Sequence, residues 1–575
     1  MAKRVYCTPA TLDPIHIFST GVSMSSQVRR TFSCLSAAVL LFASSSLAQD
    51  HHADKTTTTT AASEPAQPTA TTPDSITEGS VTAGGKAIAY KAVAGLITVG
   101  ATDQQDAMLG LDGKLLPDSG VELPAKPEDR PATATLFYTA YFAKGVDAAT
   151  RPVVFIYNGG PGSATMYLRM ASFGPVRVVL PDLDHPAGGP YKIVPNEDTL
   201  LDTADLVFID APGTGYGRVM GKDANKAFYG IDQDAAAFQR FIRRFLTKYD
   251  RWNSPRFLFG ESYGTTRDAA LSAALQHHGV DLNGVVFLSQ ILSFDDSADG
   301  SDGNPGTDNG FYLALPSFAA TAWYHHKVPG QPAELQPWLH EVEQFSLGDY
   351  ASALLQGADL DATKKAAVAA KLESYTGIPA ATWIKANLRL TGGQFAQDLL
   401  GSTGETTGRL DSRWNGPSMN PMNSETDYDP FTESIESAIQ SAMNTYAHTT
   451  LHFGENMTYE PSARMGGFNW DMAVKSPSGE GGWPGTSSNV EADLAYTMKV
   501  NPKMHILLMG GYFDLGTLYF GATYEMKHLP IPASLQKNIA YKFFPTGHMV
   551  YVNPEARTGL RDRTAEFIRD NEKGQ

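Results

Sequence analysis

The chain has 575 residues and a formal net charge of −16 at pH 7. Its length exceeds that of one minimal domain, and its hydrophobic content of 42% is ordinary for a soluble globular protein. The negative charge argues against nucleic acid or an anionic membrane as a partner, because both attract basic surfaces.

Residues 1–48 have the layout of a secretory signal peptide that starts at Met24. The basic stretch "MSSQVRR" is followed by the apolar "TFSCLSAAVLLFASSS" and by a small-residue cleavage site before Gln49. The apolar part is too short for a spanning helix, although an uncleaved signal would leave a short membrane anchor. No later segment has the apolar run that a membrane helix needs. We therefore expect an exported protein, periplasmic or extracellular, without a membrane contact beyond the signal peptide.

Residues 49–83 are predicted to form a disordered leader. They are rich in Thr, Ala and Pro and have too few apolar side chains to offset the entropy of ordering. The two cysteines, Cys7 and Cys34, lie at or before the signal, so the mature chain would contain none. Such an exported protein depends on the size of its core instead of on disulfides.

Strand and helix patterns alternate between residues 84 and 294. Strand-like segments are predicted at 84–99, 134–142, 153–157, 206–209, 255–260 and 282–291, and helices at 232–249 and 265–278. This alternation predicts an α/β fold with a mostly parallel sheet covered by helices.

The alternation stops near Asp295 and returns close to the carboxyl end. Helical patterns without intervening strands occupy 315–327, 332–345, 362–375 and 435–448, and strands are predicted again within 503–514 and 539–550. We interpret the chain as one core built from residues 84–294 and 491–575, with a mainly helical cap insertion at 295–490. An independent second domain is the alternative.

A polar stretch that begins at Asp295 partly fits a calcium-binding loop. Asp295, Ser297 and Asp299 match its first half, but Gly306 stands where the twelfth position requires a bidentate acid. We therefore interpret this stretch as a solvated turn and expect no metal site in the chain.

The segment "GESYG", residues 260–264, follows an apolar strand and precedes a helix. This is the context of a nucleophile elbow, in which glycines permit the sharp turn that presents Ser262 at the carboxyl end of a sheet. A turn that merely uses glycine is the alternative interpretation.

Serine needs a base, and the base needs an orienting acid. Asp514 and His548 each follow a predicted strand, and the order Ser, Asp, His is that of the α/β hydrolases. An Asp after a strand is often a turn former, and a His beside Gly is often only packed. The agreement of three placements favours a triad of Ser262, Asp514 and His548.

Five motifs together resemble the serine carboxypeptidases, the carboxypeptidase Y-like branch of the α/β hydrolases. They are "NGGPGSATMY", "DAPGTGYG", "GESYGTT", "GGYFDLG" and "TGHMVYVNPE", and they occur in the family's order over about 150–292 and 500–560. The predicted cap at 295–490 resembles the corresponding region of the family only loosely. The resemblance implies an α/β-hydrolase fold and a secreted member of bacterial type.

The resemblance also implies roles around the serine. The backbone N–H groups of Gly160 and Tyr263 would form the oxyanion hole, and Asn158, the N–H of Gly159 and Glu261 would hold the terminal carboxylate of the substrate. A glutamate can bond another carboxylate only if one of the two is protonated, so the pKa of Glu261 must be raised. This arrangement implies exopeptidase activity that is favoured at acidic pH.

The sequence departs from the family at four positions. Ile156 stands where a Trp is common, Ser172 where a second acid is common, Ser163 replaces a cysteine and Tyr512 an acid. Arg169 could supply a replacement positive charge, or it could be a surface residue of a helix.

These observations lead to the hypothesis of an exported serine carboxypeptidase. It would release C-terminal residues from peptides with a free carboxyl terminus through an acyl-enzyme, without a metal or organic cofactor. An esterase or acyltransferase on the same triad is one alternative, and a non-catalytic peptide-binding protein is another. Neither residue preference nor oligomeric state follows from the sequence.

Overall fold

The structure is a computed structural model that describes residues 73–297, 299, 305–463, 468–475 and 488–573. Contacts divide the chain into Met1–Ala66 and Gln67–Gln575, and the described residues all belong to the second unit. The predicted signal peptide lies outside the described residues.

Within the described residues, ten strands form a central sheet and four more form two small hairpins. The strands are β1 (Ser75–Ala83), β2 (Lys86–Gly100), β3 (Thr133–Ala143), β4 (Val153–Tyr157), β5 (Val176–Val178), β6 (Ile193–Pro195), β7 (Asp205–Ile209), β8 (Arg218–Met220), β9 (Arg256–Glu261), β10 (Gly284–Leu288), β11 (Glu405–Thr407), β12 (Asn415–Pro417), β13 (His505–Gly511) and β14 (Ile539–Phe544).

The sheet order is β1-β2-β3-β7-β4-β9-β10-β13-β14, with β8 paired to β3. The first four strands pair antiparallel, and every pair from β7 to β14 is parallel. The parallel strands are short and apolar, such as "VVFIY" in β4, because both faces of the sheet are covered. This mostly parallel sheet with flanking helices is the α/β-hydrolase fold, and the predicted fold class is confirmed.

Helices flank the sheet and fill the region between β10 and β13. The α-helices are α1 (Asp103–Ala107), α2 (Ala224–Phe228), α3 (Ile231–Lys248), α4 (Tyr263–His277), α5 (Asn309–Tyr324), α6 (Leu335–Phe345), α7 (Ala351–Leu355), α8 (Ala362–Thr376), α9 (Ala380–Lys385), α10 (Gly392–Leu400), α11 (Pro430–Thr449), α12 (Glu491–Val500), α13 (Tyr519–His528), α14 (Ala533–Gln536) and α15 (Pro554–Asn571). The 3₁₀ turns are Pro127–Asp129, Phe294–Asp296, Gly357–Asp359, Gly401–Thr403 and Val550–Val552, and the π-helical turns are Leu168–Phe173 and Ser346–Tyr350.

The core has two layers because side chains of each strand alternate between the faces of the sheet. In β4, Val154 and Ile156 pack on the face that carries α11 and α15. Phe155 and Tyr157 pack on the opposite face, against α3, α4 and α12. These layers hold the carboxyl ends of the parallel strands rigidly, and the site described below lies at that edge.

A third apolar cluster connects helices α5, α6, α8 and α10 with the chain that follows β13. Phe513 and Leu515, on either side of Asp514, belong to this cluster. Helix α11 is different, because Ile435 and Met443 pack with the sheet layer. The core and cap boundaries remain a prediction, and α11 contributes to the core layer although it falls within 295–490.

The leader boundary at residue 83 is wrong. Ser75–Ala83 form β1, which pairs with β2 from Ser75 opposite Ala94 to Ala83 opposite Lys86. Most side chains of this edge strand are exposed or half-buried, so it lacks an apolar signature. Backbone pairing with β2 orders it, and composition does not report such pairing.

Among the described residues, none of the helices combines the length and apolar character needed to cross a membrane.

Candidate active site

Ser262 lies at a sharp turn between β9 and α4. Its backbone has φ 61° and ψ −131°, a conformation that L residues rarely adopt. A side chain at Gly260 would collide with the carbonyl oxygen of Gly264, so this close turn requires glycine. The Ser262 amide donates to the carbonyl of Leu288 at 2.9 Å, which fixes the turn to β10. The Ser262 side chain is half-buried at the carboxyl end of the sheet.

His548 and Asp514 are buried and hydrogen-bonded to each other. The distance from His548 Nδ1 to Asp514 Oδ2 is 2.6 Å. The amides of Gly516 and Thr517 donate to Asp514 Oδ1 at 2.8 and 2.9 Å, and the Thr517 hydroxyl donates to Oδ2 at 2.6 Å. Four donors thus hold the carboxylate, which in turn holds the imidazole in one orientation.

The backbone of His548 is fixed as firmly as its ring. Its amide donates to the carbonyl of Leu410 at 2.7 Å, and its carbonyl accepts from the Ser289 hydroxyl at 2.7 Å. Burial lowers the pKa of His548, but the carboxylates of Asp514 and Glu261 outweigh it and raise the pKa above the ordinary value. His548 is therefore poised to accept a proton.

Glu261, the residue before the serine, is buried and held by two donors. Asn158 Nδ2 donates to its Oε2, and the Tyr551 hydroxyl lies 2.9–3.0 Å from both carboxylate oxygens. Burial raises the pKa of Glu261 to about 7, although the bonds from Tyr551 and Asn158 act in the opposite direction. Glu261 can thus carry a proton near neutral pH.

The glycine loop after β4 lies against the elbow. Gly159 is buried, and a Cβ on it would come within 2.5 Å of the Tyr263 amide nitrogen. Gly160 is exposed and has φ 112°, which favours glycine. Tyr263 is the first residue of α4, and the N–H groups of a helix's first turn have no partner within the helix. The backbone of the glycine loop therefore lies directly against the first residue of α4, next to Ser262.

The structure brings the predicted residues together in two groups. Asp514 bonds His548, and Asn158 bonds Glu261 while Gly159 packs against Tyr263. Glu261 and His548 are close enough for their charges to affect each other. Within the described residues, no hydrogen bond joins the Ser262 hydroxyl to His548. In many hydrolases this bond is long without substrate and shortens in the complex.

Arg169 is neither a surface residue nor a free positive charge. Its side chain is fully buried, pairs with Asp210 at 3.2 Å and lies over the rings of Phe137 and Phe208. The helical pattern suggested exposure, but α11 and the chain after it cover this turn. Ser172, at the place of the missing acid, is also fully buried, and its hydroxyl has no partner among the described residues.

A buried ion pair supports the elbow from beneath. Arg267 pairs with Asp234 at 2.6 Å and donates to the Asn158 carbonyl at 2.9 Å. Its guanidinium also lies over the rings of Tyr157 and Tyr263, at 5.1 and 5.3 Å from their centroids. The pair thus joins the Asn158 loop to the helix that follows Ser262.

Sequence reasoning missed Arg267, Thr517 and Tyr551 as parts of this site. Thr517 and Tyr551 each stand three residues after a predicted triad member, so local spacing could have singled them out. Arg267 is separated from Asn158 by 109 residues, and only the fold brings the two together.

Residues 127–286 match the sequence model of the family described as serine carboxypeptidase. That segment includes Asn158, Gly159, Gly160 and the whole elbow, and it ends before Asp514 and His548.

Over these residues the chain is similar to the serine carboxypeptidases.

Similar proteins include the pheromone-processing carboxypeptidase KEX1 of Yarrowia lipolytica, which is 29% identical over 140 residues, or 24% of this chain and 21% of that protein. The protein of the same name from Saccharomyces cerevisiae is 29% identical over 135 residues, or 22% of this chain and 17% of that protein. The chain therefore spans about a fifth of the length of the curated relatives it matches.

Among solved structures, the prohormone-processing carboxypeptidase KEX1(delta)p from Saccharomyces cerevisiae superimposes with a TM-score of 0.47 and 13% identity. The superposition covers 83% of this chain and 91% of that chain.

Proposed function

We propose that this protein is a serine-type carboxypeptidase that releases C-terminal residues from peptides through an acyl-enzyme. The observation that carries the proposal is the buried Glu261, held by Asn158 beside the Ser262 elbow. A generic hydrolase has no need of a protonatable carboxyl next to its nucleophile. A substrate with a free carboxylate gives that group a use.

In this proposal Ser262 attacks the carbonyl of the last peptide bond while His548 accepts its proton. Asp514 holds Nδ1 of the imidazole and stabilises the imidazolium that forms. The oxyanion is bound by the N–H groups of Gly160 and Tyr263, the latter at the positive end of α4. His548 then protonates the departing amine, and water releases the acyl group from Ser262 by the same steps in reverse order.

The terminal carboxylate would be held by Glu261 in its protonated form, by Asn158 and by the N–H of Gly159. Tyr551 joins this group, because its hydroxyl reaches both oxygens of Glu261. A tyrosine hydroxyl both donates and accepts, so Tyr551 can keep its hydrogen bond to Glu261 whether that carboxyl is protonated or ionised. We propose that Tyr551 compensates in part for the second acid that the sequence lacks.

The two pKa shifts act on different kinetic constants. Below about pH 7 Glu261 is protonated and can donate to the substrate carboxylate, so KM is lowest there. His548 must be neutral to accept the serine proton, and its raised pKa makes kcat fall as the pH decreases. Activity on free-acid peptides is therefore expected to have a bell-shaped pH dependence with a narrow maximum.

A comparison of one peptide as free acid and as C-terminal amide tests the proposal. We expect single residues to be lost from the carboxyl end of the free acid and the amide to react at least tenfold more slowly, since a hydrogen bond to a charged group, worth about 1.5–3 kcal/mol, is lost. Ser262→Ala should abolish both reactions and also the covalent labelling by a fluorophosphonate. Internal cleavage, or equal rates on the two peptides, would contradict the carboxypeptidase assignment.

One observation favours an esterase or acyltransferase as second candidate. With Arg169 bound to Asp210 and Ser172 in place of an acid, Glu261 is the one acid assigned to the carboxylate site. A weaker site of this kind suits esters, whose leaving group is an alcohol without a carboxylate. Rapid hydrolysis of uncharged esters, with no hydrolysis of free-acid peptides, would identify this activity.

We further propose that the protein is exported to the periplasm or the extracellular space. The signal-like pattern at residues 1–48 supports this location. Fractionation of cells that express the full chain, followed by N-terminal sequencing, should find a mature start near Gln49. A chain retained with its first 48 residues in the cytoplasm would refute export.

A further inference from the structure

A second group of acidic side chains lies beyond the catalytic residues, where three segments of the chain meet. Asp296 is in the 3₁₀ turn Phe294–Asp296 that follows β10, Glu491 begins α12, and Glu525 belongs to α13. One carboxylate oxygen of each lies within 4.8 Å of those of the other two. Glu525 is buried, and the other two are half-buried.

The backbone keeps these carboxylates together. Residues on either side of the junction pair with each other, since Phe294 donates to the Ser488 carbonyl and Val490 donates to that of Leu292. The amides of Leu292 and Ser293 donate to Glu525 at 3.1 Å each. The cluster is therefore part of the folded architecture and not a chance approach of mobile surface side chains.

No arginine or lysine neutralises the three carboxylates among the described residues. Asp296 accepts one bond from the Asn309 amide at 2.8 Å, and no ion pair within 4.0 Å involves Asp296, Glu491 or Glu525 in that part of the chain. Three carboxylates at this separation repel one another unless protons or a cation lie between them.

A separate observation concerns Gln290, which is 2% exposed. Its Oε1 is buried and has no hydrogen-bond partner among the described residues, whereas its Nε2 donates to Glu525 Oε2 at 2.8 Å. Gln290 lines a small cavity of about 10 Å³ together with Asp296 and Glu525. This space has about the volume of one water-sized or cation-sized sphere. Gln290 Oε1 shares a carbon atom with the Nε2 that bonds Glu525, so it lies next to that carboxylate. A buried carbonyl oxygen without a donor needs water or an ion as its partner, and a cation between the carboxylates would supply one.

We infer that Asp296, Glu491, Glu525 and the side-chain carbonyl of Gln290 form a binding site for a calcium ion. Calcium takes six to eight oxygen ligands at about 2.3–2.6 Å, so oxygens on opposite sides of the ion are about 4.6–5.2 Å apart. The three carboxylate oxygens lie within 4.8 Å of one another, close enough to share one such ion. Magnesium demands near-ideal octahedral geometry and gives up its water reluctantly, so a site made of protein oxygens from three segments favours calcium. Water would complete the coordination.

Such a site would differ from the calcium loop considered in the sequence. That loop would use Asp295, Ser297 and Asp299, but Asp299 pairs with Arg409 at 2.6 Å. The ion would instead tie the segment after β10 to α12 and α13. Thr517, which donates to Asp514, lines the same cavity, so the ion would also brace the loop that carries the proposed catalytic acid.

Calorimetric titration and thermal unfolding of the full protein, after removal of metal with EDTA, test the site. We expect CaCl2 to bind with a Kd of about 10⁻⁴–10⁻³ M, the range of extracellular modules, and to raise Tm, while MgCl2 at equal concentration has a smaller effect. Glu491→Gln and Asp296→Asn should each weaken calcium binding by about tenfold or more.

Glu555→Gln is the matched control. Glu555 lies in the first turn of α15, as Glu491 lies in the first turn of α12, but Glu555 is exposed and outside the cluster. This variant should bind calcium like the parent protein. A parent protein without heat or Tm shift up to about 10 mM calcium, ten times the upper limit above, would overturn the proposal. So would a shift that persists in the variant with both Asp296→Asn and Glu491→Gln. If shared protons relieve the repulsion instead, these variants will raise Tm in EDTA and calcium will have no effect.

Discussion

Replacement of Glu261 by Gln tests the step that distinguishes the proposed carboxypeptidase from a generic hydrolase. Glu261 is 1% exposed, and burial raises its pKa to about 7. Its carboxyl can donate to a substrate carboxylate only while protonated. A glutamine has the same shape and donates through its amide at every pH. The substitution should therefore keep the binding geometry and remove its dependence on pH.

The expected magnitude follows from the pKa. With a pKa near 7, Glu261 is almost fully protonated at pH 6, and about one molecule in eleven retains the proton at pH 8. KM for a free-acid peptide should rise about tenfold between these values, equivalent to about 1.4 kcal/mol of binding free energy. In Glu261→Gln the KM should change less than twofold over the same range, within about 0.4 kcal/mol.

The assay is steady-state hydrolysis of a blocked dipeptide between pH 5 and 9, with KM and kcat fitted separately. An uncharged ester of the same dipeptide is the control, because its KM does not depend on a carboxylate. A Glu261→Gln enzyme whose KM for the free acid still rises tenfold between pH 6 and 8 would refute the assigned role of Glu261. A loss of kcat alone, with unchanged KM, would place Glu261 in the reaction step instead.

Four further substitutions test other parts of the site and the core. Tyr551→Phe removes a bond that lowers the pKa of Glu261, so the rise of KM should shift to higher pH in the same kinetic profile. Asp514→Asn leaves His548 without its anionic partner, and kcat should fall by about 10³–10⁴ while CD spectra stay unchanged. Gly159→Ala places a methyl group 2.5 Å from the Tyr263 amide, and kcat should fall by about a hundredfold or more, as after loss of an oxyanion donor. Asp205→Ala leaves Arg251, 1% exposed, without its partner at 2.6 Å; urea unfolding should show a loss of about 3–5 kcal/mol. A similar stability in the parent and the Asp205 variant would contradict the last prediction.

The strands of the parallel sheet were predictable because their signal is local. The pattern at 153–157 coincides with β4, and the pattern at 206–209 lies within β7, Asp205–Ile209. Such strands are buried on both faces, so they read as continuous apolar runs bounded by turn residues. Strand β1 lacks this signal because it lies at the edge of the sheet, paired only with β2. Most of its side chains are at least partly exposed, so its sequence has no apolar run.

The side chains around the elbow were harder to predict because their partners are far apart in the chain. Arg169 has the spacing of an exposed helical residue, yet Asp210, Tyr459 and the packing of α11 enclose it. Tyr551 contacts Glu261 across 290 residues, and nothing near either residue encodes that contact. Both outcomes depend on which elements cover the turn, and a linear pattern does not contain this information.

The sequence by itself determined the fold class, the elbow at Ser262 and the order of the serine, acid and histidine, because each depends on a few neighbouring residues or on chain order. Only the tertiary structure decided how Asp514 and His548 bond, that Glu261 is shared between Asn158 and Tyr551, and that Asp296, Glu491 and Glu525 meet. These contacts arise where the ends of strands and helices converge. Burial there changes the pKa of Glu261 and the strength of each charge interaction, and burial is a property of the whole fold.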